Sequence, residues 1–481
     1  MLEILSLTYL AVPVLIFVVT WLKPLIGLVF GCLILICYYR FILANRFIDK
    51  QTINWKSNQK KLIIILLILL VWVLTSGVGG FVWQNYWDHK FRNAVFMDLV
   101  SYKWPVVQGN RALCYYLGFW LPSALVGKIF GLEAGYFFQI IWAYTGVVLS
   151  VFLIFKHLGK INIRTVLLLI FFSGLDIFIY YTQGILQGQN LLSHTLPLLS
   201  GLHIELQAVY FNSSSNTTLL FWLYNQIIPF WVGFSLILNK KDDNQSLIFI
   251  YALLLLFSPF PCVALFPVML YLFLKNMNIT TKDKLIVTFI KKAVTVENIS
   301  AILFAGTVGL YYVSNIATGK NTILELNTHT VLLFVLYFIC EFGLYLLLIN
   351  HEDRRDPVML ILLVTTVLCS FIVLGNSYDF SWRTCIPLAF YLMLAVAKKL
   401  NSFSLKQLSS YLIVVVLLFG AITPCTEITR TIYNEWYVLT EGWGPRSDSL
   451  DSAFNEENNE CYENFMGNTK SIFFRYFCDS M

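Results

Sequence analysis

A short polar stretch of the chain brings together a carboxylate, an imidazole and a guanidinium. Asp88, His89 and Arg92 follow directly after a long apolar run. If the stretch is helical, these three side chains share one face, because residues three and four positions apart are neighbours on a helix. A carboxylate can take a proton from a hydroxyl, and a guanidinium can hold an anion. The pattern predicts a site for proton transfer and anion binding.

Three neighbours extend this candidate site, and a simpler interpretation stays open. Asn93 and Trp104 are candidates for substrate binding, and Asp98 is a second candidate catalytic carboxylate. On a helix with a rise of about 1.5 Å per residue, Asp98 lies roughly 15 Å from Asp88, too far to share a metal ion. The alternative is a solvated loop in which Asp88 and Arg92 form an ion pair.

A second acid and base pair occurs late in the chain. Asp379 and Arg383 lie four positions apart in a short polar segment at the mouth of an apolar run. The planar guanidinium matches phosphate oxygens, so Arg383 is a candidate for binding a lipid phosphate or pyrophosphate. Binding of ordinary lipid headgroups, or a pair with Asp379 alone, is the alternative.

Four further polar residues stand in or beside apolar runs and are substrate-binding candidates. Asp176 lies inside an apolar run, where an ionisable group indicates a functional role, and a buried Asp bonded to a neighbouring helix is the alternative. Gln226 lies in another such run, and interhelical hydrogen bonding is its alternative role. His203 and Glu205 belong to a segment rich in uncharged hydrogen-bonding groups, which suits sugar hydroxyls and suits a solvated loop equally well.

Composition identifies the elements that must position these residues. The 481 residues are 58% hydrophobic and 12% charged, with a mean hydropathy of +0.72, outside the range of soluble globular chains. The net charge of +6 resides in short loops between apolar runs, so it indicates membrane topology rather than binding of nucleic acid. The sequence predicts an all-α polytopic membrane protein.

Apolar runs long enough to cross a bilayer recur along the whole chain. We predict about 11 to 13 transmembrane helices, with candidate crossings at 4–22, 25–43, 62–84, 135–156, 164–181, 217–238, 298–317, 329–350, 357–375, 384–398 and 408–424. The run 246–275 is interrupted by Pro259 and Pro261, which predicts a hairpin of two short broken helices.

Basic residues in the short loops predict the orientation in a cell membrane. They place the N-terminus and the loop 44–61 in the cytoplasm, and the C-terminus outside. The predicted domains are a membrane domain, 1–424, and an extracytoplasmic tail, 425–481. Within the former, 85–134 is a long first outer loop and 182–216 a second. The segment 113–131 is predicted to lie on the outer leaflet, with Tyr115, Tyr116 and Trp120 at the interface.

Two blocks of sequence resemble uncharacterised bacterial polytopic proteins. They are Gly79-Gly80-Phe81 through Asp88-His89, Arg92-Asn93, Asp98-Leu99 and Trp104-Pro105-Val106, and later Asp379 with Arg383-Thr384-Cys385-Ile386-Pro387. Together with the many helices and the acidic first outer loop, they resemble the GT-C superfamily of glycosyltransferases, which includes protein O-mannosyltransferases and aminoarabinose transferases. The block match covers about a fifth of the chain. The chain departs from the family pattern in having two helices before the one that leads into the loop, and Asp88-His89 in place of an adjacent acidic pair.

The resemblance implies a GT-C-like fold and a reaction at the extracytoplasmic face. A sugar on polyprenyl phosphate would be the donor, and a cell-surface glycan or a lipid the acceptor, with the bilayer as the remaining partner. Asp88 would be the general base, and Asp98 the next candidate. No nucleotide cofactor is expected, and the resemblance leaves a divalent cation open.

Two other functions remain as alternatives. An O-antigen-type polysaccharide polymerase or ligase also acts on lipid-linked glycans, and is expected to depend on arginines in outer loops rather than on an acidic base. A lipid-linked oligosaccharide transporter would have paired broken helices in two related halves. The sequence has one clear broken segment and no internal symmetry, so it favours the transferase.

Overall fold

The chain folds into an all-α bundle with the architecture of a multi-pass membrane protein. The structure is a computed structural model and describes residues 1–45, 55–80, 86–186, 203–205, 210–277, 290, 292–317, 319, 321–375, 377–403, 407–441, 450 and 462–479. Most of the predicted second outer loop therefore lies outside the described residues. Within them, ten helical stretches are long and apolar enough to cross a membrane: Leu2–Trp21, Pro24–Asn45, Leu132–Leu158, Ile163–Ile185, Asn216–Asn239, Pro259–Asn276, Val296–Val313, Thr328–Leu348, Asp379–Asn401 and Leu408–Tyr433.

The helices are numbered in chain order. The first half comprises α1 (Leu2–Trp21), α2 (Pro24–Asn45), α3 (Gln59–Thr75), α4 (Tyr86–Ser101), α5 (Leu121–Phe130), α6 (Leu132–Leu158), α7 (Ile163–Phe171), α8 (Asp176–Leu186), α9 (Asn216–Asn239), α10 (Asn244–Leu254) and α11 (Pro259–Asn276). The second comprises α12 (Val296–Val313), α13 (Thr328–Phe338), α14 (Leu344–Leu348), α15 (His351–Arg354), α16 (Pro357–Ser370), α17 (Asp379–Thr384), α18 (Ile386–Asn401), α19 (Leu408–Gly420) and α20 (Ile422–Glu441).

The ten long stretches are fewer than the 11 to 13 crossings predicted. Two predicted crossings, 62–84 and 357–375, are shorter helices, α3 with 17 residues and α16 with 14. At about 1.5 Å per residue, neither reaches the roughly 30 Å of a hydrocarbon core without help. α3 ends early because Gly77, Gly79 and Gly80 adopt positive φ angles, which do not continue a helix.

Helix α9 forms the centre of the bundle. Nearly all of its 24 residues are buried, and it packs against α1, α6, α10 and α20. A side-chain carbon added at Gly146 of α6 would lie 2.4 Å from Ile228 of α9, so this glycine permits close approach of the two helices. α9 is about 36 Å long at 1.5 Å per residue, so its two ends define two ends of the molecule.

The crossing predicted at 164–181 is not one continuous helix. It is divided into α7 and α8 by the extended residues 172–175, and Asp176 begins the second helix. By contrast, the predicted break near Pro259 is confirmed, since α10 ends at Leu254 and α11 begins at Pro259. α11 is longer than the short helix predicted there.

A small antiparallel sheet joins the predicted first outer loop to the C-terminal segment. Strands β1 (Val107–Gln108), β2 (Arg111–Leu113) and β5 (Met466–Asn468) pair in the order β1-β2-β5, and β3 (Thr322–Ile323) pairs with β4 (Ile372–Val373) elsewhere. Ala112 lies opposite Gly467. The predicted domain boundary at 424 falls inside α20. The described residues 462–479 of the predicted tail are therefore packed onto the rest of the bundle.

The predicted interfacial segment 113–131 is packed more deeply than expected. Trp120 is fully buried, and its ring meets Tyr224 of α9 edge-on. The large exposed apolar side chains of this segment are Leu125, Ile129 and Phe130, all in α5. The buried rings of Phe119 and Trp120 therefore stabilise the protein interior.

Basic loops lie at the end of the bundle opposite the N-terminus of α9. Lys156 and Lys240 both pair with Glu3, at 2.9 and 2.8 Å. Lys398 pairs with Asp353 at 2.9 Å. Basic segments that were predicted to share one side of the membrane therefore do lie at one end of the molecule.

Candidate active site

A cavity of about 860 Å³ opens at the other end of the bundle, beside the N-terminus of α9. Five of the residues predicted as functional from the sequence line it: Asp88, Arg92, His203, Asp379 and Arg383. The side chains of α4 and of α17 thus line the same cavity, although these helices are far apart in the chain.

Helix α4 supplies the first pair. The predicted helix is present, and the Asp88 Oδ2 accepts a hydrogen bond from the Arg92 Nη2 at 3.0 Å. The Arg92 side chain is 5% exposed and that of Asp88 is 38% exposed. Arg92 Nε and Nη1 have no hydrogen-bond partner among the residues that the structure describes. The pair therefore presents a partly exposed carboxylate beside a buried guanidinium whose Nε and Nη1 are shielded from solvent.

Helix α17 supplies a second pair of the same form. The Arg383 Nη2 lies 3.0 Å from the Asp379 Oδ2, with side-chain exposures of 11% and 41%. Pro387 in the first turn of α18 has no N–H to donate, which separates the short helix α17 from α18. In both pairs, the arginine is largely buried and the partly exposed carboxylate faces the cavity.

Aromatic rings surround the two arginines. The Arg92 guanidinium carbon lies 5.8 Å from the centre of the Tyr224 ring, and that of Arg383 lies 5.9 Å from Phe260. Tyr115 and Tyr116 also line the cavity. The backbone N–H of Tyr115 donates to the Tyr311 hydroxyl at 2.9 Å, which fixes this part of the wall. The arginine side chains are thus largely buried against aromatic rings.

His203 belongs to a second polar group on the cavity wall. Its ring stacks on Trp222 with 5.3 Å between ring centres, and its Nδ1 lies 3.6 Å from the Glu427 Oε2. Glu427 also accepts hydrogen bonds from the Trp222 Nε1 and the Arg430 Nη2, both at 2.7 Å. The Arg430 guanidinium carbon lies 4.6 Å from the centre of the Trp222 ring. The group is a histidine and carboxylate dyad supported by a tryptophan and an arginine.

Four predicted residues of the first loop are not among those lining the cavity. His89 is buried, and its Nε2 makes a hydrogen bond to the Phe221 carbonyl at 2.5 Å. Burial, followed by the charge of Arg92, lowers the pKa of His89 to about 3, so the ring is neutral at physiological pH. Asp98 and Asn93 are also buried, and the Trp104 ring packs on Trp21. These residues position α4 against the bundle.

The other predicted residues lie deeper. The Asp176 Oδ2 accepts hydrogen bonds from the Ser173 hydroxyl at 3.0 Å and from the Thr423 hydroxyl at 2.8 Å. The Glu205 Oε1 accepts from the Ser215 N–H at 3.0 Å and from the Thr218 hydroxyl at 2.6 Å. Both carboxylates are buried behind the wall rather than on it.

Gln226 also lies behind the wall and is 3% exposed. Its carbonyl accepts a hydrogen bond from the Ser258 hydroxyl at 2.5 Å. This bond joins α9 to the break between α10 and α11. The backbone of Gln226 thus has a structural role, and its amide does not line the cavity.

Sequence reasoning missed the partners of His203. Glu427 and Arg430 were assigned to a polar tail, although α20 carries the apolar run of α19 on past the predicted boundary. Trp222 stood in an apolar run and gave no signal of its own. The only available clue was the close spacing of Glu427 and Arg430 on one helical face.

No group of three or more His, Cys, Asp or Glu side chains that could hold a metal ion occurs in the described part of the chain. The cavity carboxylates Asp88 and Asp379 each pair with an arginine instead. No family model matches the chain, and no similar protein was found among curated sequences or solved structures.

Proposed function

We propose that this chain is a membrane glycosyltransferase that moves a sugar from a polyprenyl-phosphate donor to a glycan or lipid acceptor at the extracytoplasmic face. The observation that carries the proposal is the meeting of two Asp and Arg pairs in one cavity. The GT-C-like resemblance of the two sequence blocks supports the same reaction.

The arginines suit the phosphate of such a donor. A guanidinium donates through a planar fork, and a bond to a charged oxygen is stronger where water is excluded. Arg92 and Arg383 both line the cavity, and each is paired with a carboxylate that is about two-fifths exposed. Arg92 and Arg383 would hold the phosphate and stabilise its charge as it leaves.

Asp88 suits the role of general base. Its carboxylate faces the cavity and is oriented by Arg92. In the proposed step, the acceptor oxygen attacks the anomeric carbon while Asp88 takes the hydroxyl proton, and the bond from that carbon to the phosphate oxygen breaks. The products are the glycosylated acceptor and polyprenyl phosphate.

The apolar part of the cavity suits a lipid-linked substrate. Val313 lines the cavity and is 83% exposed at its rim, and Leu374 lines it nearby. A rim with exposed apolar side chains allows a prenyl chain to stay in the bilayer while its headgroup enters. This arrangement favours a lipid donor over a soluble one.

The test is sugar transfer by purified variants in lipid, using a panel of radiolabelled polyprenyl-phosphate sugars. We expect Asp88→Asn to abolish transfer while the protein remains folded. Asp353→Asn is the matched control, because it also removes an ion-paired carboxylate, but at the opposite end of the bundle. Full activity of Asp88→Asn would contradict the assignment of the base.

The buried arginines also favour a second candidate, the O-antigen-type polymerase or ligase. Such an enzyme would depend on Arg383 and tolerate loss of the Asp88 carboxylate. Loss of glycan polymerisation in Arg383→Ala, together with activity in Asp88→Asn, would favour this candidate over the first.

The sequence indicated one broken helix, near Pro259, and the structure adds a second break before Asp176. The second break favours the third candidate, a transporter. Together with the break before Pro259 it gives two interrupted helices, a feature of transporter binding sites. Uptake of a labelled lipid-linked glycan into proteoliposomes without covalent change would favour transport. We rank it below transfer because the charged pairs of the cavity suit phosphate chemistry.

A further inference from the structure

In the proposed reaction, a proton donor can neutralise the negative charge of the departing phosphate. The cavity wall has a candidate proton donor that lies outside the two sequence blocks that resemble GT-C proteins. His203 lines the same cavity as Arg92 and Arg383, and 20% of its side chain is exposed. Its Nδ1 lies 3.6 Å from the Glu427 Oε2, so Nε2 is the ring nitrogen that this contact does not involve.

The surroundings hold this imidazole in one orientation. Trp222 covers its face, while Glu427 is anchored on both Trp222 and Arg430. Glu427 is 3% exposed, so its charge is not screened by bulk water. A carboxylate 3.6 Å from Nδ1 favours a proton on that nitrogen and stabilises the imidazolium form.

The charged groups around His203 come from three elements. Glu427 and Arg430 face it from α20, Glu205 lies in its own segment, and Asp176 faces it from α8. Burial lowers the pKa of His203, but the hydrogen bond to Glu427 and the charges of Glu205 and Glu427 outweigh burial and Arg430, so the pKa is raised. The imidazolium form therefore persists to a higher pH than in a free histidine.

We propose that His203 is the general acid of the reaction, donating its Nε2 proton to the departing phosphate, and that Glu427 is the residue that positions it. The inference rests on the proposed function. As the bond from the anomeric carbon to the phosphate oxygen breaks, both electrons go to that oxygen and the His203 proton follows. Asp88 takes up the acceptor proton in the same turnover. Asp88 then releases a proton to water and His203 takes one from water, which restores both groups.

The chemistry of the leaving group fits this role. A phosphate monoester has a second pKa of about 6, close to that of an imidazolium, so the proton can pass between them at little cost. Arg92 and Arg383 provide charge but cannot give up a proton, because a guanidinium stays protonated in proteins. His203 would add the one function that the arginines lack.

The pH profile of sugar transfer tests the assignment. For wild type we expect the rate to fall on the alkaline side, as His203 loses its proton above its raised pKa. His203→Gln should reduce the rate by about 10² to 10⁴ and remove this alkaline limb. Glu427→Gln should move the limb to lower pH by about one unit, because one charge that favours the imidazolium is gone.

The control is His351→Gln, which changes an exposed histidine near the opposite end of the bundle. It should keep the wild-type rate and profile. If His203→Gln fails to fold, the Glu427→Gln profile decides alone. An unchanged alkaline limb in Glu427→Gln, or wild-type rate in folded His203→Gln, would overturn the inference and leave the proposed function standing. Absence of transfer by wild type from every donor would overturn both.

Discussion

Arg383 combines near-complete burial with an ion pair to a half-exposed carboxylate. Its guanidinium also lies over the Phe260 ring. Burying such a cation is costly unless it is paired and hydrogen-bonded, so the Asp379 carboxylate offsets part of the cost of burying Arg383. Arg92 has the same environment, with Asp88 and Tyr224 as its neighbours.

A charge-conserving substitution separates charge from geometry at Arg383. Arg383→Lys keeps the positive charge but loses the planar fork and the stacking over Phe260. We expect the KM for a polyprenyl-phosphate sugar to rise at least about tenfold, which corresponds to about 1.4 kcal/mol of binding free energy.

Steady-state kinetics over a range of donor concentrations would measure this change. Lys398→Arg, at the opposite end of the bundle, is the control and should leave KM unchanged. A wild-type KM in Arg383→Lys would show that the fork does not contact the donor.

At the residue scale, the i, i+4 spacing offered both ion pairs only as alternatives to a catalytic or binding role, and the structure contains both pairs. The sequence did not predict that the pairs share a cavity, nor that His203 has Glu427 as a partner. Those contacts depend on how helices far apart in the chain pack, and spacing along one helix does not report that. His89 shows the reverse case, since its helical face turns it into the bundle rather than toward the cavity.

At the element scale, the break between α7 and α8 is matched by an irregularity in the facing helix. Residues 339–343 form a π-helical turn that places Glu341 against the break. A carbon added at Gly174 would lie 2.0 Å from the Glu341 Oε2. The Leu175 N–H donates to the Cys340 carbonyl at 3.1 Å, which joins the two irregular segments.

This close approach predicts that Gly174 cannot carry a side chain. Gly174→Ala should lower the free energy of unfolding by about 1–3 kcal/mol, the usual cost of overpacking a buried site. Gly309→Ala is the control, since no atom lies within 4 Å of the added carbon. Thermal unfolding in detergent should show a lower Tm for the first variant alone. Equal Tm values would show that the break tolerates a side chain.

Hydropathy predicted where most helices lie but not where they are interrupted. The run 164–181 is apolar almost throughout, so its pattern does not reveal that residues 172–175 are extended. The break near Pro259 was predictable because proline removes a backbone donor, a local effect. Gly174 and Asp176 were weaker indications of a helix break, because glycine and aspartate are less favourable inside a helix than most apolar residues.

At the scale of the whole molecule, the two ends of the bundle differ in character. One end has ion pairs from basic loops, such as Lys156 with Glu3. The other has the cavity, the small sheet and the packed C-terminal segment. Basic loops favour the cytoplasmic side, which predicts that the cavity opens to the exterior.

Labelling of single cysteines by a membrane-impermeant maleimide in intact cells tests this orientation. Ser377→Cys, at the exposed rim of the cavity, should be labelled from outside. Glu352→Cys, exposed near the opposite end, should be labelled only after permeabilisation. Wild type reports any background from the native cysteines. The reverse pattern would place the cavity on the cytoplasmic side and contradict the proposed use of a donor at the outer face.

The most direct test of the central claim is donor choice by the wild-type protein in lipid. The protein would be given the same radiolabelled sugars on polyprenyl phosphate and on nucleoside diphosphate, together with a membrane extract as acceptor. We predict label in a glycan or lipid product from the polyprenyl-phosphate donor only. Transfer from the nucleotide donor, or no transfer from any lipid-linked sugar by folded protein, would contradict the account.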